Sequence, residues 1–327
     1  MKFTKSILNL VPAFAVAAAV IASPAAVRAQ DYPSKDIQVI CAFPAGSGAD
    51  ILVRHFAEKL KPHAKVTVIT LNKPGAGGNI AAEFTARSEP DGHTIYIHAA
   101  NTVAAAMWLF KKPPFDALKD LQVVATLNKQ PFMVVVPAKS PYKTLADLTA
   151  AMKKKGAKAS YAQSNMSGQV LGALYKQQAG IEAVEIPFRT ASDSVNEFLS
   201  GTLDYGMMDP VFSLSQQREG RLRILALSTA ERMKATPEIP TIAEAGVPGV
   251  ELVTWFAAMV PAKTPKPVVE KLNQWFNEIL STDDTRAYLA RFGGDPFIST
   301  PEEGQQFLAK QVEAWGEYVK AAKIEPQ

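Results

Sequence analysis

Two features of the sequence predict an α/β protein of two lobes, each a mixed, mostly parallel sheet flanked by helices. Short apolar runs alternate with helix-period runs along the chain, and turn residues separate them. A second feature is a repeat at an offset of 124 residues. Residues 132–148 read FMVVVPAKSPYKTLADL and residues 256–272 read FAAMVPAKTPKPVVEKL. Phe132 aligns with Phe256, Pro137-Ala138-Lys139 with Pro261-Ala262-Lys263, and Leu148 with Leu272. Each copy is an apolar strand that stops at a proline and leads into a helix. Two copies are too few for a solenoid. They fit a chain that crosses twice between two similar lobes, with one such unit after each crossing. Lobe 1 is then residues 30–131 plus 250–327, and lobe 2 is residues 132–249.

The first residues are read as an export signal. Lys2 and Lys5 precede an Ala/Val-rich stretch that ends in Val27-Arg28-Ala29, which places a secretory leader at residues 1–29 and its cleavage after Ala29. The expected location is the periplasm. The precursor carries +4, but Lys2, Lys5 and Arg28 leave with the leader, so the mature chain is near neutral. Nucleic acid and anionic membrane surfaces are therefore not expected partners. The one cysteine, Cys41, cannot form an internal disulfide and reads as a small buried hydrophobe.

The elements follow in order. DIQVICAF (36–43) is a strand, PAGSGAD (44–50) a loop and ILVRHFAEKL (51–60) a helix. VTVITL (66–71) is a second strand, KPGAGGNI (73–80) a glycine-rich turn, NIAAEFTAR (79–87) a helix and HTIYIHAA (93–100) a third strand. In lobe 2, Ser164, Asn165, Ser167 and Gly168 precede one helix, Arg189, Thr190 and Ser192 precede another, and LDYGMMD ends a strand at Asp209. Two more helices, VVEKLNQWFNEIL (268–280) and PEEGQQFLAKQVEAWGEYVKAA (301–322), are expected to pack on lobe 1.

Enzyme signatures are missing. There is no P-loop and no GxSxG elbow. Ile80 and Ile51 stand where a third dinucleotide-binding glycine would fall. His55, His63, His93 and His98 fall in no metal-ligand spacing, so no metal or cofactor is expected. What recurs on both lobes is a loop of small and hydroxyl residues between a strand and a helix. Such loops offer backbone amides and capping side chains to an anion.

The blocks YPSKDIQVICAFPAGSGAD (32–50), NKPGAGGNIAAE (72–83), PDGHTIYI (90–97), FLSGTLDYGMMD (198–209), GRLRILALSTAERMKATPEIPTIAEAGVPGVE (220–251) and WFAAMVPAKTP (255–265) resemble the solute-binding receptors of tripartite tricarboxylate transporters, the Bug-type proteins. The resemblance runs through essentially the whole mature chain in one order. It implies a type II-like periplasmic-binding-protein fold, with two crossovers at a hinge, that closes on an organic acid and hands it to integral-membrane transporter subunits. It also implies carboxylate contacts at the first loop, Ala45, Gly46, Ser47, Gly48, Ala49 and Asp50, and at the second, Gly75 to Asn79 with Gly77, Gly78 and Asn79 foremost. Ser164, Ser167, Gly168 and Asp209 are the implied contacts in lobe 2.

Asn101, Thr102, Arg189 and Thr190 join this set from their positions at strand ends. Asp50 suits a cap or loop brace better than contact with an anion, because like charges repel. Arg189 could clamp a second carboxylate. Phe43, Met208, Phe212 and Trp255 either wall the site or belong to the core. Where the family commonly has FPPGGGTD, PYKG and FDN, this chain has FPAGSGAD, PFRT and MMDP, so a relative's ligand cannot be copied across. A monomeric receptor for a mono- or dicarboxylate is the leading expectation, with a periplasmic sensing component as the alternative and an enzyme on the same scaffold as a third reading.

Overall fold

The computed structural model describes residues 32–326, so the leader assigned to residues 1–29 lies outside the described residues. Two sheets carry the architecture. In the first, β1 (Ile37–Cys41), β2 (Val68–Asn72) and β3 (Thr94–Ala99) run parallel, with β1 in the middle. Beside β3 lie β10 (Val253–Pro261), β4 (Leu121–Pro131) and the short β11 (Asp295–Pro296), each antiparallel to its neighbour. The second sheet repeats the plan. Here β7 (Ala183–Pro187), β6 (Ala159–Gln163) and β8 (Tyr205–Met208) are parallel, and β5 (Met133–Pro137) and β9 (Leu222–Leu227) add antiparallel pairs. Parallel pairing thus belongs to the three-stranded halves, and the antiparallel pairs enter with β5 and β10.

Period-two side-chain alternation explains why both faces of the first sheet are covered. Ile37, Val39 and Cys41 point to one face, against Val53, Phe56 and Leu60 of α1 (Gly48–Ala64) and Leu272, Phe276 and Ile279 of α8 (Lys266–Leu280). Ile40, Tyr96 and Trp255 face the other way, among Ala81 of α2 (Asn79–Ala86), Val103 of α3 (Ala100–Leu109) and Trp315 of α10 (Pro301–Ala321). In the second sheet, α4 (Leu145–Lys155) and α5 (Met166–Ala179) share a face with Tyr161 and Tyr205. Phe198 of α6 (Val195–Ser200) and Phe212 of α7 (Pro210–Arg218) pack on the opposite one. The helix α9 (Asp283–Arg291) leads from α8 into β11.

The internal repeat has a shared local cause. β5 ends at Pro137 and β10 at Pro261, because a proline has no amide to continue the ladder. Each then turns the same way, with Ser140 N donating to Pro137 O at 2.8 Å and Thr264 N to Pro261 O at 3.0 Å.

The chain passes between the sheets at residue 132 and returns between Leu227 and Val253. Ser228 ties the two passages together. Its hydroxyl accepts from Phe132 N at 2.8 Å and donates to Leu252 O at 2.5 Å, while its amide donates to Phe132 O at 2.9 Å and its carbonyl accepts from Leu252 N at 2.8 Å. A second tie comes from Asp295, whose carboxylate accepts from Lys234 N at 2.7 Å and Ala235 N at 3.0 Å.

Ser228 is fully buried, so the Ser228→Ala change strands the Phe132 amide and the Leu252 carbonyl. A loss of roughly 1–3 kcal/mol is expected in urea unfolding. A loss below the low end of that range would mean that the hydroxyl does not hold the crossing together.

Candidate functional site

Six loops leave the carboxyl ends of the six parallel strands, three from each sheet. In open α/β sheets that is where ligands bind. The first loop, after β1, is organised around Asp50. Its side chain is 1 % exposed. It accepts from Gly46 N at 2.8 Å, Arg54 Nε at 2.9 Å and Asn72 Nδ2 at 2.7 Å. Asn72 also donates to Phe43 O at 2.9 Å and accepts from the Arg54 guanidinium at 2.7 Å. Burial alone would raise the Asp50 pKa, but the bonds from Arg54, Gly46 and Asn72 outweigh it and hold the group down at about 2. Asp50 is the brace of this loop, and Ser47 is the cap of α1, accepting from Asp50 N at 3.2 Å. Ala45, Gly46 and Gly48 are exposed, and Ser47 and Ala49 half-buried.

The second loop turns through four consecutive residues of positive φ, from Gly75 (+127°) through Ala76 (+47°) and Gly77 (+63°) to Gly78 (+98°). Only glycine takes most of these angles cheaply. Gly78 is constrained twice, since a Cβ there would sit 2.4 Å from His98 Nε2. His98 lies beneath the loop between Phe43 and Tyr96, at ring distances of 4.6 and 5.2 Å, and Tyr96 donates its hydroxyl to Gly78 O at 3.1 Å. Burial pushes the His98 imidazole down to about 4, against a smaller upward pull from the Gly77 backbone. It is therefore neutral at neutral pH and brings no charge to the site. Asn79, which opens α2, is buried.

The third loop is cut short, because α3 begins directly after β3. Thr102 donates to Ala99 O at 2.7 Å, and Asn101, 2 % exposed, reaches across to the second sheet, its Nδ2 donating to Ser167 Oγ at 3.4 Å. Asn101 Oδ1 has no partner among the described residues.

On the second sheet, Asn165 caps α5 by accepting from Gly168 N at 3.0 Å. Gly168 lets α5 approach the end of β8, since a Cβ there would lie 2.7 Å from Met207 O. Ser167 is buried and Ser164 half-buried. Asp209 caps α7, accepting from Phe212 N at 2.9 Å, and burial raises its pKa although the Phe212 and Val211 amides pull it down. Arg189 and Thr190 follow β7 and are both exposed. The Thr190 amide is held by Asp193 Oδ2 at 2.9 Å, and Arg189 has no hydrogen-bond or ion partner among the described residues. Asn101 and Ser167 meet across the sheets, whereas Asp50 is committed to bracing its loop and Asp209 to capping α7.

A cavity of about 230 Å³ adjoins this meeting point. Gly77, Asn79, Thr102 and Ser167 line it as the loops suggest, and Ala105, Leu109, Phe110, Trp315 and Ile324 line it as well. These last residues were not foreseen. Their one local signal is Gly316, which interrupts a long helix at a cost in helix propensity. A Cβ there would lie 2.7 Å from Trp108 Cζ2. Trp255, Met208 and Phe212 are buried in the core, so they do not wall the site. Among the described residues no three His, Cys, Asp or Glu side chains gather as a metal site, and no helix is long and apolar enough to cross a membrane.

Residues 52–324 match the tripartite tricarboxylate transporter family receptor. The chain belongs to this family. It is 30% identical over 308 residues to the BugT protein of Bordetella pertussis, covering 93% of this chain and 94% of BugT. Among solved structures, Rpa4515 of R. palustris with adipate superposes with a TM-score of 0.78 at 27% identity, over 91% of this chain and all of that one. MatC of Rhodopseudomonas palustris with bound malate gives 0.71 at 25% identity, over 88% of this chain and 100% of MatC. Receptors of this family are periplasmic solute-binding proteins, not enzymes.

The Asp50 brace has a pH signature. A carboxyl whose pKa falls from 3.8 to about 2 on folding contributes stability that is present above about pH 4 and lost as pH falls towards 2. Urea midpoints measured across that window are expected to fall more steeply for the natural protein than for Asp50→Asn. Parallel curves would remove Asp50 from that role.

Proposed function

We propose that this chain is an exported receptor in which lobe 1 (30–131 with 250–327) and lobe 2 (132–249) close on a small organic carboxylate and present it to the membrane subunits of a tripartite transporter. Export would follow cleavage of the 1–29 leader and leave the receptor in the periplasm. The observation that carries this reading is the meeting of Asn101 and Ser167 from opposite sheets, with the glycine loop and the first turn of α5 beside them. The amides of a helix's first turn have no partners within the helix and favour negative charge. Neutral donors can satisfy a carboxylate without a buried counter-cation, which avoids the desolvation cost of an ion pair. The acids named with the two R. palustris structures, adipate and malate, are both carboxylates. Closure about the Phe132–Ser228–Leu252 crossing would give the transporter a ligand-dependent shape to recognise.

The test is a melting series of the mature protein with mono-, di- and tricarboxylates. An acid present at about 100 times its Kd adds roughly 2.7 kcal/mol, a shift of a few degrees for a chain of this size. Ser167→Ala is expected to weaken binding about ten-fold or more, as for a lost hydrogen bond to a charged group. If no carboxylate shifts the melting temperature, the receptor reading fails.

A further inference from the structure

Resting on the receptor reading above, we propose that the cavity between α3, α5 and the C-terminal segment takes the apolar part of the bound acid. The chain is then a receptor for monocarboxylates that carry an apolar chain or ring. The cavity has two unlike ends. Gly77, Asn79, Thr102 and Ser167 form the polar end, where the two sheets meet. Away from it, Ala105, Ala106 and Leu109 on α3, and Phe110 just after it, face Met166 and Trp315, so the remaining lining is almost wholly apolar. A volume of about 230 Å³ leaves room for an apolar group beyond the carboxylate, and burial of that group against the apolar lining is favourable. Two consecutive alanines keep the space open, and Met166 supplies an adaptable wall.

The charges select against a second carboxylate. Among the described residues no lysine, arginine or histidine lines the cavity, and the one ionisable side chain that does is the exposed Glu325. A dicarboxylate seated with one end at the glycine loop would push its other end into apolar surroundings or towards Glu325. Either position is unfavourable for an anion. Arg189, the cation considered for that second clamp, does not line the cavity.

The experiment is calorimetric titration of the mature protein with acetate, butanoate, hexanoate, phenylacetate and adipate. Burial of each methylene is expected to lower Kd about four-fold along the aliphatic series. Hexanoate is expected to bind at least ten-fold more tightly than adipate, which has the same carbon count. Ala106→Leu is expected to flatten the series. Glu325→Gln, an exposed change that does not threaten folding, is expected to narrow the gap between hexanoate and adipate several-fold. Acid binding that is indifferent to chain length, or that favours adipate in the natural protein, overturns this inference and leaves the carboxylate receptor standing. Failure of every acid to bind overturns the receptor reading itself and this inference with it.

Discussion

The double crossing at Phe132, Ser228 and Leu252 is the constraint on which the remaining architecture depends. β4 and β10 lie side by side in the first sheet, paired from Val253 opposite Pro131 to Pro261 opposite Leu121. β5 and β9, which adjoin them in sequence, lie side by side in the second. The crossings are therefore neighbours in space, and one serine side chain can bond to both. That arrangement leaves the three parallel strands of each sheet beyond the crossing strands and brings Asn101 of one half against Ser167 of the other. A site assembled in this way belongs to neither sheet alone.

Asp50, Arg54 and Asp209, charges that follow β1 and β8, are spent on holding the loops' shape. Asp50 and Arg54 satisfy one another and share Asn72, Asp209 is turned into the first turn of α7, and His98 is neutral beneath the glycine loop. What remains for an incoming anion is amides and hydroxyls on a rigid frame. This division fits a protein that must release its ligand as well as hold it, because neutral donors bind a carboxylate without the deep trap of a fully desolvated ion pair.

Much of this was legible in the sequence because the determining signals are local. Short apolar runs bounded by turn residues marked β1 and β3, and the prolines at 137 and 261 marked the ends of β5 and β10. Ser47, Asn165 and Asp209 cap their helices as their residue types suggest. The glycine turn of the candidate site was legible for the same reason, since a run such as GAGG has few uses other than positive φ. Trp255 was not legible, because an aromatic in an apolar strand looks alike whether it faces a ligand or a core. Phe307 and Phe297, on distant segments, close over it at 4.9 and 6.3 Å. The C-terminal lining was hidden for a similar reason. Residues 105–110 and 315–325 come together only through packing between α3 and α10, in which Trp108 Nε1 donates to Val312 O at 2.5 Å.

That packing also explains why membership in a receptor family does not transfer a ligand. On the receptor reading proposed above, the loops that would hold a carboxylate offer mainly backbone and small side chains, which suit any carboxylate. The discriminating surface lies behind them, in α3 and the segment after α10, where side-chain size alters the space without disturbing the glycine turn. In this chain that surface joins two alanines, an aromatic wall and one acidic residue. On that reading, the polar end would account for binding an acid at all, and the apolar end for which acid. α10 packs against α3 and β4 of one half and against α5 of the other, so the element that shapes the cavity touches both halves. On the proposal above, filling the cavity would add contacts to an element already shared by the two halves.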